Sequence, residues 1–148
     1  AEIKANCGRQ RLNINGAIDV ASLQVLVRFD DTINAASTIR LFKQLERKHR
    51  KAKTIYIIAD NAPYYRCREV KTYLETSRIK LIFLPAYSPN LNLIERLWKY
   101  FRKVVMHNQY YQSFIDFTQA AESFFLNIKE HRNALRSLLT ENFHLFSA

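Results

Sequence analysis

The chain reads as one α/β domain with a mixed sheet flanked by helices, and three observations predict it. The apolar pattern moves between period two and a helical period in the order β-β-α-β-α-β-α, followed by further helices. Two short apolar runs, Ile55 to Ala59 and Ile79 to Leu84, bracket a helical stretch at the spacing of a right-handed crossover. The 148 residues are 48% hydrophobic and 13% aromatic, enough for one buried core without disulfides or structural metal.

The elements follow in order. Between Arg11 and Val20 the residues Leu12, Ile14, Gly16, Ile18 and Val20 alternate, and Ser22 to Gln24 turn the chain into Val25 to Phe29, which predicts an antiparallel hairpin. From Ala35 to Lys48, Ile39, Phe42 and Leu45 step by three and Leu41 and Leu45 by four, with Arg40, Lys43 and Arg47 opposite, as in an amphipathic helix. Ile55 to Ala59 is almost wholly apolar and β-branched, as expected of a central parallel strand buried on both faces. A helix is expected over Arg66 to Glu75, and Pro85 stops the strand Ile79 to Leu84. Over Asn90 to Met106, Leu91, Ile94, Leu97, Trp98, Phe101 and Val105 hold helical spacing, opened by the cap chemistry of Ser88-Pro89-Asn90. Phe114, Phe117, Phe124, Phe125 and Leu126 recur with a helical period after Ser113, and a last helix is expected through Ala134 to Leu139.

Composition excludes several classes of function. The glycines number two, Gly8 and Gly16, so no glycine-rich phosphate cradle can be written and no nucleotide or other small-molecule cofactor is expected. Cys7 and Cys67 lie far apart and the four histidines show no ligand spacing, which supports neither a zinc module nor a disulfide framework and suits a reducing cytoplasm. The longest uncharged run, Leu81 to Ile94, is broken by Pro85 and Pro89 and is no membrane span or signal core. An initial Ala in place of Met suggests a processed product or a fragment.

Two carboxylates stand out by position. Asp60 follows directly on the strand Ile55 to Ala59, and Glu95 lies one turn into the helix after the next strand, so both belong at the carboxyl ends of parallel strands, where ligands and catalytic groups gather in open α/β sheets. Paired carboxylates beside basic groups suit a two-metal phosphoryl-transfer site, because hard divalent ions take oxygen ligands and clamp the attacking and leaving oxygens. An Asp after a strand also serves as a turn former, and a Glu in a first helical turn complements the dipole; composition and spacing leave both readings open.

The surrounding residues carry a resemblance. Asp60-Asn61-Ala62, followed by Leu84-Pro85-Ala86-Tyr87-Ser88-Pro89-Asn90-Leu91-Asn92-Leu93-Ile94-Glu95-Arg96-Leu97-Trp98, is similar to the signature of mariner-type DDE transposases, in particular their bacterial insertion-sequence branch, with 34 residues between the two acids. The likeness covers nearly the whole chain, although Ala86 interrupts the Pro-Tyr-Ser-Pro run. It implies a ribonuclease-H-like catalytic domain that cleaves DNA strands at transposon ends and transfers them to a target, with Asp60 and Glu95 as the second and third catalytic, metal-binding carboxylates and Mg2+ or Mn2+ as cofactor.

The sequence also departs from the family. The first catalytic Asp belongs at the end of a first strand ahead of the hairpin, and neither Asp19, expected within the hairpin, nor Asp30 and Asp31, expected in a solvated turn, matches that position. The family's N-terminal helix-turn-helix region has no counterpart either. Residues 1–148 are therefore read as a single, partial catalytic domain, inactive alone and lacking the central first strand. That loss leaves the Ile55 to Ala59 strand with an unpaired edge, which a homodimer could repair by re-pairing or exchanging strands. A non-catalytic remnant that binds DNA or another transposase subunit, and a nuclease of the same fold, are the alternatives.

The net charge of +10 fits a phosphate-backbone partner, with salt-sensitive affinity. Arg96, Lys99, Arg102 and Lys103, which adjoin Glu95, are the expected DNA contacts. For Arg40, Lys43, Arg47, Lys48, Arg50 and Lys51 a solvated helix face and DNA binding are equally open. The expected location is the bacterial cytoplasm, at the nucleoid. Trp98 and Phe101 are expected in the core, Tyr64 and Tyr65 either line the site or anchor a loop, and Cys67 is a small helix residue.

Overall fold

The computed structural model describes residues 1–5, 10–85 and 92–140. Its elements run β1 (Glu2–Lys4), β2 (Arg11–Ile18), β3 (Val25–Phe29), α1 (Ala35–Lys48), β4 (Ile55–Ala59), a 3-10 turn (Pro63–Tyr65), α2 (Arg68–Glu75), β5 (Ile79–Phe83), α3 (Leu93–Phe101), a π-helical continuation (Arg102–Met106), α4 (Phe114–Leu126), a second 3-10 turn (Ile128–His131) and α5 (Arg132–Thr140).

β2 and β3 form the expected hairpin, with Gly16 opposite Val27 and Ile18 opposite Val25. Asp19 lies in its turn and not in the strand, where its carboxylate accepts hydrogen bonds from the amides of Ala21 and Ser22 at 2.9 and 3.0 Å. A short strand that the polar start of the chain does not announce, β1, pairs antiparallel with the first half of β2. β4 and β5 pair in parallel, Ile55 with Ile79 through Ala59 with Phe83. In place of one mixed sheet, the described strands form a three-stranded antiparallel sheet and a separate two-stranded parallel one.

Two apolar clusters organise the layers. The first joins Leu12 and Ile14 of β2 to Leu97, Trp98 and Phe101 of α3, Phe117 and Phe124 of α4, and Leu135 and Leu139 of α5. The second packs Leu41, Phe42 and Leu45 of α1 and Val70 of α2 against Ile55 and Ile57 of β4 and Ile79 and Leu81 of β5. The hairpin therefore has helices on both faces: Ala17 and Leu26 belong to the α1 side, while Ile14, Ile18, Val25 and Val27 belong to the α3 side.

β4 departs from its expected burial. Ala59 is buried, but Tyr56 and Ile58 are 66% and 51% exposed, as is Ile82 of β5 at 48%. Burial on both faces requires helices on both sides. Here α1 and α2 cover one face, while α3, α4 and α5 are gathered onto the antiparallel sheet. Among the described residues β4 pairs with β5 alone, so its other edge is open.

Helix boundaries follow local chemistry. α1 starts with a capping box: the Asn34 side chain accepts from the Ser37 amide at 2.9 Å, and the Asn34 amide donates to the Ser37 hydroxyl at 2.8 Å. α2 begins at Arg68, two residues later than expected, because Pro63 opens a separate 3-10 turn and Cys67 takes the cap position. α3 begins at Leu93 with Asn92 as its cap; Asn90 and Leu91 of the expected helix, and Ala86 to Pro89 of the signature, lie outside the described residues. No described helix is long and apolar enough to cross a membrane.

Candidate active site at the carboxyl ends of the parallel strands

β4 delivers Asp60 to its carboxyl end, where the residue is exposed. One carboxylate oxygen accepts from the Ala62 amide at 3.0 Å, which turns the chain and holds the side chain in place. The ends of the two parallel strands are tied together here. The Leu84 amide donates to the Ala59 carbonyl at 2.9 Å, and the Asn61 side-chain amide reaches the Leu84 carbonyl at 3.5 Å. Arg66 completes the rim: its guanidinium donates to Asn61 Oδ1 at 2.5 Å and lies 4.0 Å over the Phe83 ring.

Glu95 is brought in by α3. It lies exposed in the first turn of that helix, whose opposite face carries the buried Leu97, Trp98 and Phe101. Gly16 permits this packing, because a Cβ there would come within 3.0 Å of both Trp98 Cη2 and the Leu26 carbonyl. Sequence spacing alone does not reveal that contact between the hairpin and the helix bearing Glu95.

Asp60 and Glu95 share an electrostatic neighbourhood. Burial, then the negative charges of Asp60 and Glu95, raise the Tyr64 hydroxyl above its ordinary range. Tyr65 is raised further, by burial first and then by Tyr64, Asp60 and Glu95. The Ala1 amino group is lowered by burial and by Arg102, while Glu95 and Asp60 act in the opposite sense. Both carboxylates thus reach the same three groups. Tyr65 also stacks on Phe42, with centroids 6.5 Å apart, so it anchors the loop after Asp60 to α1.

The other acids are occupied elsewhere. Asp30, expected in a solvated turn, has its side chain 4% exposed and is paired with Arg28 at 3.2 Å and Arg40 at 3.5 Å; the hairpin end and α1 converge on it. Asp31 is exposed, as expected. Among the described residues no three His, Cys, Asp or Glu side chains gather as a metal-holding group.

The expected basic contacts fall on one helical run. Lys99 is exposed on α3, and Arg102 and Lys103 are exposed on the π-helical continuation, where they line a groove with Met106 and His107. Arg96 is less free, since its guanidinium donates to the Leu138 carbonyl at 3.2 Å. Trp98 and Phe101 are core residues, 3% and 0% exposed. Cys67 is a cap residue, with its thiol donating to the Tyr64 carbonyl at 3.2 Å. Arg66 is the rim residue that sequence reasoning missed, because a single Arg in a loop carries no periodic signal.

A ribonuclease-H-like α/β domain, with Asp60 directly after a parallel strand and Glu95 in the first turn of α3, is the class that the fold defines. The family model described as DDE superfamily endonuclease matches residues 1–118, and the chain belongs to that family. It is 31% identical over 100 residues to the insertion element IS630 uncharacterized 39 kDa protein of Shigella sonnei, a match covering 67% of this chain and 29% of that relative. The chain thus matches less than a third of the relative's length. Among solved structures, the catalytic domain of Mos1 mariner transposase superposes with a TM-score of 0.69 at 20% identity, covering 94% of this chain and 74% of that one. The HTLV-2 integrase catalytic core in complex with magnesium superposes with a TM-score of 0.53 at 18% identity, covering 86% and 78%. Other solved neighbours are a Mos1 catalytic domain with manganese and a Mos1 paired-end complex with the left transposon end.

Proposed function

We propose that this chain is part of the catalytic domain of an insertion-sequence transposase, in which Asp60 and Glu95 hold divalent metal, Mg2+ or Mn2+, for DNA strand cleavage and transfer. The observation that carries the reading is the placement of Asp60 directly after β4 and of Glu95 in the first turn of α3, both within residues 1–118 that match the DDE superfamily endonuclease family. Their donor chemistry suits such an ion: both are exposed carboxylates, and neither is in an ion pair among the described residues. A bound divalent ion would supply Lewis-acid activation of the attacking oxygen and charge neutralisation at the phosphate. Asp60 is held by the Ala62 amide and Glu95 by the packing of α3; these two carboxylates would hold the ion, and Lys99, Arg102 and Lys103 would take the DNA backbone.

Two carboxylates make an incomplete set for this chemistry. Asp19 and Asp30 are committed to turn amides and to arginines, so the chain alone is proposed to bind metal without strand transfer. The proposed setting is the bacterial nucleoid, and the proposed assembly is a homodimer, supported by the open edge of β4 and the exposed Tyr56, Ile58 and Ile82.

Isothermal titration of manganese into the parent chain, Asp60→Ala and Glu95→Ala tests the site. Binding in the parent that is lost in both variants is the expected result. No binding in the parent, or binding unchanged in either variant, overturns the assignment and favours a non-catalytic remnant.

A further inference from the structure

The end of the molecule opposite Asp60 carries the densest charge in the chain. Between Lys43 and Lys53 lie six cations, Lys43, Arg47, Lys48, Arg50, Lys51 and Lys53, all exposed, and one acid, Glu46. None of the six is in an ion pair among the described residues. Lys43, Arg47 and Arg50 line a groove with Glu46, Thr76 and Arg78.

Helix capping does not account for this density. Cations in a last turn complement the helix dipole, but that is a fraction of one charge and is felt within one turn. The carbonyls of Glu46, His49 and Ala52 already accept hydrogen bonds from the Arg78 guanidinium. The one acid is also committed: Glu46 accepts from the Tyr73 hydroxyl, from the Ser77 hydroxyl at 2.7 Å and from the Arg78 amide at 3.1 Å. Six like charges thus project from a rigid base whose one carboxylate, Glu46, is taken up by three hydrogen bonds, and their mutual repulsion is relieved by an external polyanion.

We propose that the carboxyl end of α1 and the turn after it form a second surface for the duplex DNA backbone, distinct from the Lys99, Arg102 and Lys103 run; this rests on reading the chain as a DNA transferase. The carboxyl end of α1 leads into the start of β4, while Asp60 follows its other end, five residues or about 13 Å along the strand. The apolar residues of the same helix, Leu41, Phe42 and Leu45, are buried, so the surface offers charge and no wedge for a lipid bilayer.

Fluorescence anisotropy with a labelled random-sequence duplex over a salt series tests the proposal. Four proteins are compared after circular dichroism shows each folded: the parent chain, K43Q/R47Q/R50Q, K99Q/R102Q/K103Q, and a control with three scattered cations removed, K4Q/K80Q/K129Q. The expected result is about a tenfold or greater loss for K43Q/R47Q/R50Q, a salt slope shallower by roughly 2 to 3, and a clearly smaller loss for the control. Parent-like affinity and slope in K43Q/R47Q/R50Q, with loss confined to K99Q/R102Q/K103Q, overturns the second surface and leaves the transposase reading intact. A loss in the control equal to that in K43Q/R47Q/R50Q reduces the effect to net charge and also overturns it. A parent that ignores duplex at low salt but binds phosphatidylserine vesicles through the same three residues overturns the second surface together with the DNA reading.

Discussion

Glu46 shows how one side chain holds two elements together. Burial opposes its ionisation, yet hydrogen bonds from Tyr73, Ser77 and the Arg78 amide overcome that cost and hold its carboxyl below the usual range. A depressed folded-state value means stability that is present above the unfolded carboxylate range and lost as pH falls through the folded value. Tyr73 has the opposite sign: burial and then the bond to Glu46 push it up to about 12, so its contribution is full below the unfolded phenol value and is lost as pH rises through about 12. Thermal melts of the parent and Glu46→Gln across the acid and alkaline limbs check both signs. The variant should melt lower near neutrality and lose less on acidification; an acid limb identical to the parent's would contradict the account. At this scale Asp60 and Glu95 were legible because strand ends and helix starts put side chains in known places. Asp30 was not, since a sequence that shows Asp30 beside Asp31 does not show Arg28 and Arg40 closing over one of them.

Among the elements, α1 and α3 set the geometry. The capping box of α1 should make Asn34→Ala cost about 1 kcal/mol, read as a lower denaturant midpoint with an unchanged slope. Gly16 in β2 is the contact point for α3: Gly16→Ala must displace Trp98 or the Leu26 backbone, a cost of about 1 to 3 kcal/mol. Because Trp98 and Glu95 share α3, the same variant should weaken manganese binding even though it touches neither carboxylate. Unchanged stability together with unchanged metal affinity would show that the close approach is dispensable. The limits of α1, β3 and β4 were readable to the residue, since each coincides with a change of period or a cap. The start of α2 was not, because Cys67 has no side-chain cap bond to advertise it.

For the whole molecule, charge and the edge of β4 that is unpaired among the described residues dominate. With a net charge of +10, the proposed duplex binding should be steeply salt-dependent, with affinity falling by orders of magnitude between low and physiological salt; a flat profile would exclude phosphate contacts as its source. Light scattering over a concentration series should show self-association, and Ile58→Lys on the exposed face of β4 should weaken it; a monomer at every concentration would refute the homodimer. The sequence by itself determined the order of elements, the family, the positions of Asp60 after a strand and Glu95 at a helix start, and the basic character, because these depend on local periodicity and on residue type at short spacing. Only the tertiary structure decided that the strands divide into two sheets, that β4 is covered on one face, that Arg66 is clamped between Asn61 and Phe83, and that Arg78 closes the end of α1. Those outcomes depend on which distant faces meet, and a one-dimensional pattern of apolar residues specifies that a face is buried without specifying against what.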